Sequence, residues 1–155
     1  MSEVRRIEDQ LRRAFEGQAW HGDSLMELLS GVTANQAAAK PLKDVHSIWE
    51  IVSHITFWVE VSRRRAEGDE APVENLSDGW LSPTDTSEAA WQQTLEKLRQ
   101  SNEALCQTIA GLTDEGLKES AAGQPYSIYF LLHGVIQHNL YHGGQIAVLK
   151  KVLNA

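Results

Sequence analysis

The sequence predicts an all-α fold: a four-helix bundle with a long crossover loop between its second and third helices. Apolar residues recur at spacings of three and four through four long segments, the stripe of amphipathic helices. No segment reads convincingly as a strand. The stretch from Gly68 to Ser87 carries two of the four prolines with Asn75, Asp78, Gly79 and Ser82, and breaks the helical pattern once at length. Short links around one long connection describe a bundle, and residues 1–155 fit a single domain large enough to bury its own core.

The first segment runs from Glu3 to Ser30. Val4, Ile7, Leu11, Ala14, Gln18, His21, Leu25 and Leu28 form its inward stripe. Gly17 and Gly22 flank the two polar members, and Ser24 with Glu27 has the form of a capping box that restarts a helix, so a bend is expected between Gly17 and Ser24. Thr33 to Pro41 reads as a connector with a short turn of helix around Ala34–Ala39.

The second helix is expected from His46 to Glu67, opened by a Ser47/Glu50 capping box. Ile48, Ile51, Val52, Ile55, Trp58 and Val59 are its apolar stripe, with His54 at one shoulder. Arg63-Arg64-Arg65, just before Glu67, Asp69 and Glu70, reads as a solvated helix end whose charges suit the helix dipole.

The third helix is expected from Ser87 to Leu112, with Trp91, Leu95, Leu98, Leu105, Ile109 and Leu112 inward and Asn102 interrupting. Thr113-Asp114-Glu115 caps a short turn, and Gly123 to Pro125 leads into the last helix, Ser127 to Leu153. On a wheel, Leu131, Val135, Ile146 and Leu149 share one quadrant with His138 and His142, while Tyr129, Leu132, Ile136, Leu140 and Ala147 lie nearly opposite. A helix apolar on two sides in so small a bundle predicts a homodimer.

Composition narrows the partners. Hydrophobic residues make up 42% and charged residues 23%, an ordinary globular balance. With 21 acidic against 14 basic residues the net charge is −7, which argues against nucleic acid. A single cysteine, Cys106, excludes an internal disulfide framework and fits a reducing compartment. The N-terminal residues lack the apolar core of a signal peptide, and no run approaches the ~20 apolar residues of a membrane span. A cytoplasmic protein without membrane or nucleic-acid partners is expected.

The histidines carry the chemistry. His138 and His142, four apart on one helix, project from the same side one turn apart. His54 occupies a near-inward position on a second helix and His21 an inward slot on another. A lone histidine on an apolar face is usually a hydrogen-bonded core residue, but several buried without partners would cost roughly 1–3 kcal/mol each. A shared metal ion removes that cost. Asn139 follows His138, so the His-Glu-x-x-His motif of zinc peptidases, with its built-in base, is absent. No Glu-x-x-His occurs either, which argues against a di-iron bundle. Three neutral imidazoles with few carboxylates suit zinc or nickel rather than magnesium or calcium.

The segment Leu131 to Ile146, with His138-x-x-x-His142 followed by Gly144-Gln145-Ile146, resembles the signature of the DinB-like (DinB/YfiT) superfamily of metal-dependent enzymes. Ala19 to Leu25 and His46 to Ile55 resemble that family's first- and second-helix blocks. The resemblance implies a four-helix bundle, commonly dimeric, with His54, His138 and His142 binding a divalent metal. Characterised relatives include transferases and isomerases that use low-molecular-weight thiols.

Among other residues, His21 is a candidate further ligand, general base or pocket wall, against a hydrogen-bonded residue at a helix bend. Gln145, one turn beyond His142, is a candidate for orienting a histidine or a bound water. Glu50 reads as a surface carboxylate more than a partner of His54, while His46 and His133 are poor ligand candidates. Trp20, Trp49, Trp58 and Trp91 read as core, and Trp80 as a pocket wall. Gly143-Gly144 costs roughly 1 kcal/mol per glycine in a helix, which close helix approach or access to the metal would explain. Cys106 reads as a packing residue. The expected function is a metal-dependent S-transferase acting on a small-molecule substrate through a metal-activated thiol. The alternatives are a hydrolase using bound water and a non-catalytic dimeric metal-binding bundle.

Overall fold

The computed structural model describes residues 1–75 and 77–154. The chain is all-helical, with α1 (Glu3–Glu16), α2 (Leu25–Leu29), α3 (Ala34–Ala38), α4 (Ile48–Ala66), α5 (Glu88–Ala110), a 3-10 turn (Gly116–Lys118) and α6 (Ile128–Leu153). Among the described residues the only β pairing is an isolated antiparallel bridge between Ser120 and Ser127. Leu76, inside the expected crossover loop, and Ala155, at the end of the expected domain, lie outside the described residues.

Each α-helix begins on a hydroxyl. Ser2, Ser24, Thr33, Ser47, Ser87 and Ser127 accept from backbone N–H groups of the first turn, satisfying donors the helix itself leaves free. Ser24/Glu27, Thr33/Gln36 and Ser47/Glu50 close full capping boxes. The turn after α5 starts on Thr113, whose hydroxyl accepts from Gly116 N–H. Asp114 accepts from the N–H groups of Glu3 and Val4, tying that turn to the start of α1.

The core lies where α4 packs on α5 and α6 and where α1 packs on α5 and α6. Leu11, Val52, Ile55, Val59, Leu98, Leu105, Ile109, Leu132 and Ile146 are fully buried there, each worth roughly 1.5–3 kcal/mol. Trp91 is equally buried, and its indole N–H donates to Val32 O at 2.7 Å, pinning the connector before α3.

Several expectations need correction. The first segment breaks rather than bends: α1 stops at Glu16, Gly17 and Gln18 take positive φ angles, and helix resumes only at Leu25. Gln18 and His21 therefore leave the inward stripe and are exposed, and Trp20 is fully exposed rather than core. Arg63 and Arg64 pair with Glu67 and Asp69 at the surface, but Arg65 is buried at 8% exposure. Glu50 is buried as well, because closing its capping box turns it inward. Asn102 stays inside the α5 stripe, with its amide near Cys106 Sγ.

On α6 the two apolar sides are covered unequally. Leu132 and Ile136 are buried with the quadrant of Leu131, Val135, Ile146 and Leu149, whereas Tyr129 and Leu140 are exposed. Phe130, Tyr141, Val148 and Val152 are exposed too. A Cβ added at Gly143 would meet Leu28 of α2 at ordinary contact distance, and one at Gly144 would enter open space.

Candidate metal centre

α4 and α6 bring three imidazoles to one point. His54 comes from α4, and His138 and His142 from successive turns of α6. His138 Nε2 lies 3.2 Å from His54 Nε2 and 3.1 Å from His142 Nε2. One ring nitrogen from each of the three lies within 4.8 Å of the others. Two nitrogens bound to zinc at about 2.0–2.1 Å in tetrahedral geometry stand about 3.3 Å apart, so nitrogens at the observed spacing could hold one ion. Only a proton or a cation makes such an approach between two ring nitrogens favourable.

Gln145 fixes the sense of one ring. Its Oε1 accepts from His142 Nδ1–H at 2.7 Å, which leaves a lone pair on the Nε2 facing the other two histidines. Burial, then the repulsion that protonated neighbouring imidazoles would exert, push His54 down to about 3. Burial, then His142, push His138 down to about 4. Burial lowers His142 too, with Gln145 opposing. All three are therefore neutral near pH 7, the form that binds metal. The outer nitrogens, His54 Nδ1 and His138 Nδ1, are buried without a hydrogen-bond partner among the described residues.

The loop after α4 covers the cluster. Trp80 stacks on His54 with ring centroids 3.7 Å apart and planes 8° from parallel. It stacks on His46 at the same centroid distance and 6°. Two rings cannot share one face at that distance, so the indole is held between the two imidazoles. Gly79 allows this approach, since a Cβ there would lie 2.8 Å from Phe57 Cδ1 and 3.0 Å from His54 Nδ1. Glu50 anchors the loop from below: its carboxylate accepts from Ser47 N–H, Lys40 Nζ (2.8 Å) and the hydroxyl of Ser82.

A cavity of about 500 Å³ opens on the three histidines. Trp58, Trp80, Phe130, Leu131 and Val135 give it an apolar wall, and Ser62, Arg65 and Tyr126 stand in the same lining. His21 is not part of this space. It lines a separate cavity of about 650 Å³ with Asp23, Asn139 and Lys150, and no residue is shared between the two linings. His133 packs against Tyr129 with the two rings tilted by 52°, away from the cluster. Cys106 is buried, and that burial pushes its thiol up to about 12, so it offers no nucleophile.

Sequence reasoning picked out the three histidines, Gln145 and Trp80 but missed His46, Gly79 and Arg65. For Arg65 a signal existed. His54, Trp58, Ser62 and Arg65 follow one another at helical spacing, so the stripe bearing the histidine continues to the arginine. His46 and Gly79 depend on where an irregular loop returns, which no periodicity encodes.

No curated protein and no solved structure gives a match to this chain. A family model described as the DinB superfamily matches residues 18–146, which includes α2 to α5, all three histidines and Gln145. With most of its length inside that match, the chain belongs to the DinB superfamily.

Proposed function

We propose that the protein is a metal-dependent enzyme in which His54, His138 and His142 hold one divalent transition ion, and that it transfers a low-molecular-weight thiol to a small electrophilic substrate. The observation that carries this reading is the convergence of three neutral Nε2 atoms at 3.1–3.2 Å on the floor of an apolar cavity. An all-imidazole donor set favours zinc or nickel. Three protein ligands leave open positions, as catalytic rather than structural sites do.

A bound ion of this kind would lower the pKa of a coordinated thiol or water into the neutral range. The chain's own residues do the rest. Gln145 holds the His142 tautomer, Trp80 fixes the His54 ring, and the aromatic wall excludes water from an organic ligand. That wall favours thiol transfer over hydrolysis. Because the Cys106 thiol is buried away from this cavity, the nucleophilic sulfur would be supplied by a bound thiol.

The wider reading is of one domain, a four-helix bundle of α1, α4, α5 and α6 whose crossover is the loop carrying Gly79 and Trp80. We assign it a cytoplasmic, homodimeric state. The exposed Phe130, Tyr141 and Val148 of α6 favour self-association.

Metal analysis of tag-free protein after metal-supplemented growth tests the centre. About one equivalent of a transition metal is expected, and less than a tenth overturns the assignment. A screen of thiols against electrophiles with loaded protein tests the reaction. Turnover without added thiol would replace transfer by hydrolysis, and no turnover with full metal would leave a structural metal site.

A further inference from the structure

Arg65 is buried at 8% exposure, yet among the described residues no carboxylate pairs with it. Its partners are all neutral: Nε donates to Glu70 O at 3.3 Å, Nη2 to Ala71 O at 3.4 Å and Nη1 to Tyr126 Oη at 3.5 Å. These distances lie at or beyond the long end of normal hydrogen bonds, and they engage three of the five N–H groups a guanidinium carries. A buried charge met only by neutral groups is costly, and an anion offered to it is bound correspondingly well. The chain is rich in acids, and the adjacent Arg63 and Arg64 both have them, so the lack at Arg65 is local.

Arg65 lines the same cavity as the histidines. Arg65 lies eleven positions along α4 from His54, a rise of about 16 Å along the helix axis. Apart from Ser62 the lining beside them is apolar, and the space is partly unfilled: Gly134 of α6 lies in the lining, and a Cβ added there would meet nothing within 4 Å. The cavity thus has a charged end, an apolar middle and a histidine end.

We propose that this cavity binds an elongated small molecule with a terminal carboxylate, held by Arg65 with Tyr126, and that its apolar body directs the other end to the histidine cluster. A carboxylate suits the site because the guanidinium fork matches its two oxygens and a single cation balances a single charge. The proposal deepens the metal-centre reading by naming the ligand class. Only the identity of the reacting end rests on that reading, since the charged end functions without metal.

The test uses full-length, metal-free protein, so that a carboxylate has no ion to coordinate. The probes are 4-phenylbutyrate and its neutral amide, titrated at pH 7 while the Arg65 Nε–H resonance is followed by NMR. The acid should bind at least ten-fold tighter than the amide and shift that resonance. Arg65→Met should abolish the preference, and Arg65→Lys should retain part of it. Because Arg65 also ties down the loop carbonyls of Glu70 and Ala71, its variants are checked by Tm. Gly134→Leu, which fills the cavity while leaving those ties alone, should lose binding of both probes with Arg65 intact. Equal affinity for acid and amide, no binding of the acid, or binding undiminished in Gly134→Leu would overturn the proposal. Low metal content with the acid preference intact would instead remove only the metal-centre reading.

Discussion

The indole of Trp80 lies flat on the imidazole of His54, 3.7 Å between centroids and 8° from parallel, and the indole's other face is closed by His46. A loop residue therefore sets the orientation of a helix residue in the candidate metal centre. Ring orientation decides where the Nε2 lone pair points, so Trp80 acts on the site without offering it an atom.

Trp80→Ala should lower zinc affinity about 10–100-fold, the usual effect of losing a group that orients a ligand. Trp80→Phe, which restores a flat ring, should recover most of it. Competition against a chromogenic chelator reads both. Unchanged affinity in the alanine variant would mean that helix geometry alone orients His54.

Gln145 orients His142 as Trp80 orients His54. Its Oε1 accepts from His142 Nδ1–H at 2.7 Å. Gln145→Leu should weaken metal binding by about 10–100-fold. Gln145→Glu keeps an acceptor at this position and should bind at least as well as the parent. If leucine and glutamate variants behave alike, the hydrogen bond has no role in the site.

Glu50 links the fold's pH response to the loop over the site. Burial works against its ionisation, but Lys40, Ser82 and the Ser47 N–H outweigh burial and hold it at about 2, below the ordinary 4.5. Between those two values the unfolded chain binds the extra proton and the folded chain does not. The carboxylate's contribution is therefore fully present above about pH 4.5 and is lost as the pH falls towards 2. Glu50→Gln should lower Tm at pH 7 and converge on the parent near pH 2–3, as read by thermal melts across that range. A constant difference in Tm at every pH would show that the charge of Glu50 is irrelevant.

The helices and the three histidines were legible because periodicity encodes them. His138 and His142 sit four apart on α6, and His54 lies beside an unbroken apolar stripe of α4, so helix periodicity together with the packing of α4 on α6 converges them. Where the chain leaves the helix, periodicity no longer fixes which way a side chain points. His21 fitted the stripe of α1 by spacing, but positive φ at Gly17 and Gln18 ends the helix and turns it out to solvent. Glu50 carries the letter of a surface residue, yet its own capping box draws it inside. Arg65 was hidden for the converse reason, since two arginines beside it really are solvated and the three read as one cluster.

Two glycines separate the demands of the site from those of the helix. At Gly79 an added Cβ would lie 2.8 Å from Phe57 and 3.0 Å from His54, and the His54 ring is held against Trp80. Gly79→Ala should therefore lift the loop, lower Tm and weaken zinc binding together. At Gly144 nothing lies within 4 Å of the added carbon, and the residue is exposed within α6. Gly144→Ala should stabilise the metal-free protein by up to about 1 kcal/mol, the difference in helix propensity, and leave zinc affinity unchanged. Thermal melts with chelator competition measure both variants. A Gly79→Ala protein with full zinc affinity would mean that the loop can close over His54 without the close approach seen here. Destabilisation by Gly144→Ala would show that this face of α6 is covered, as it would be by a second copy of the chain.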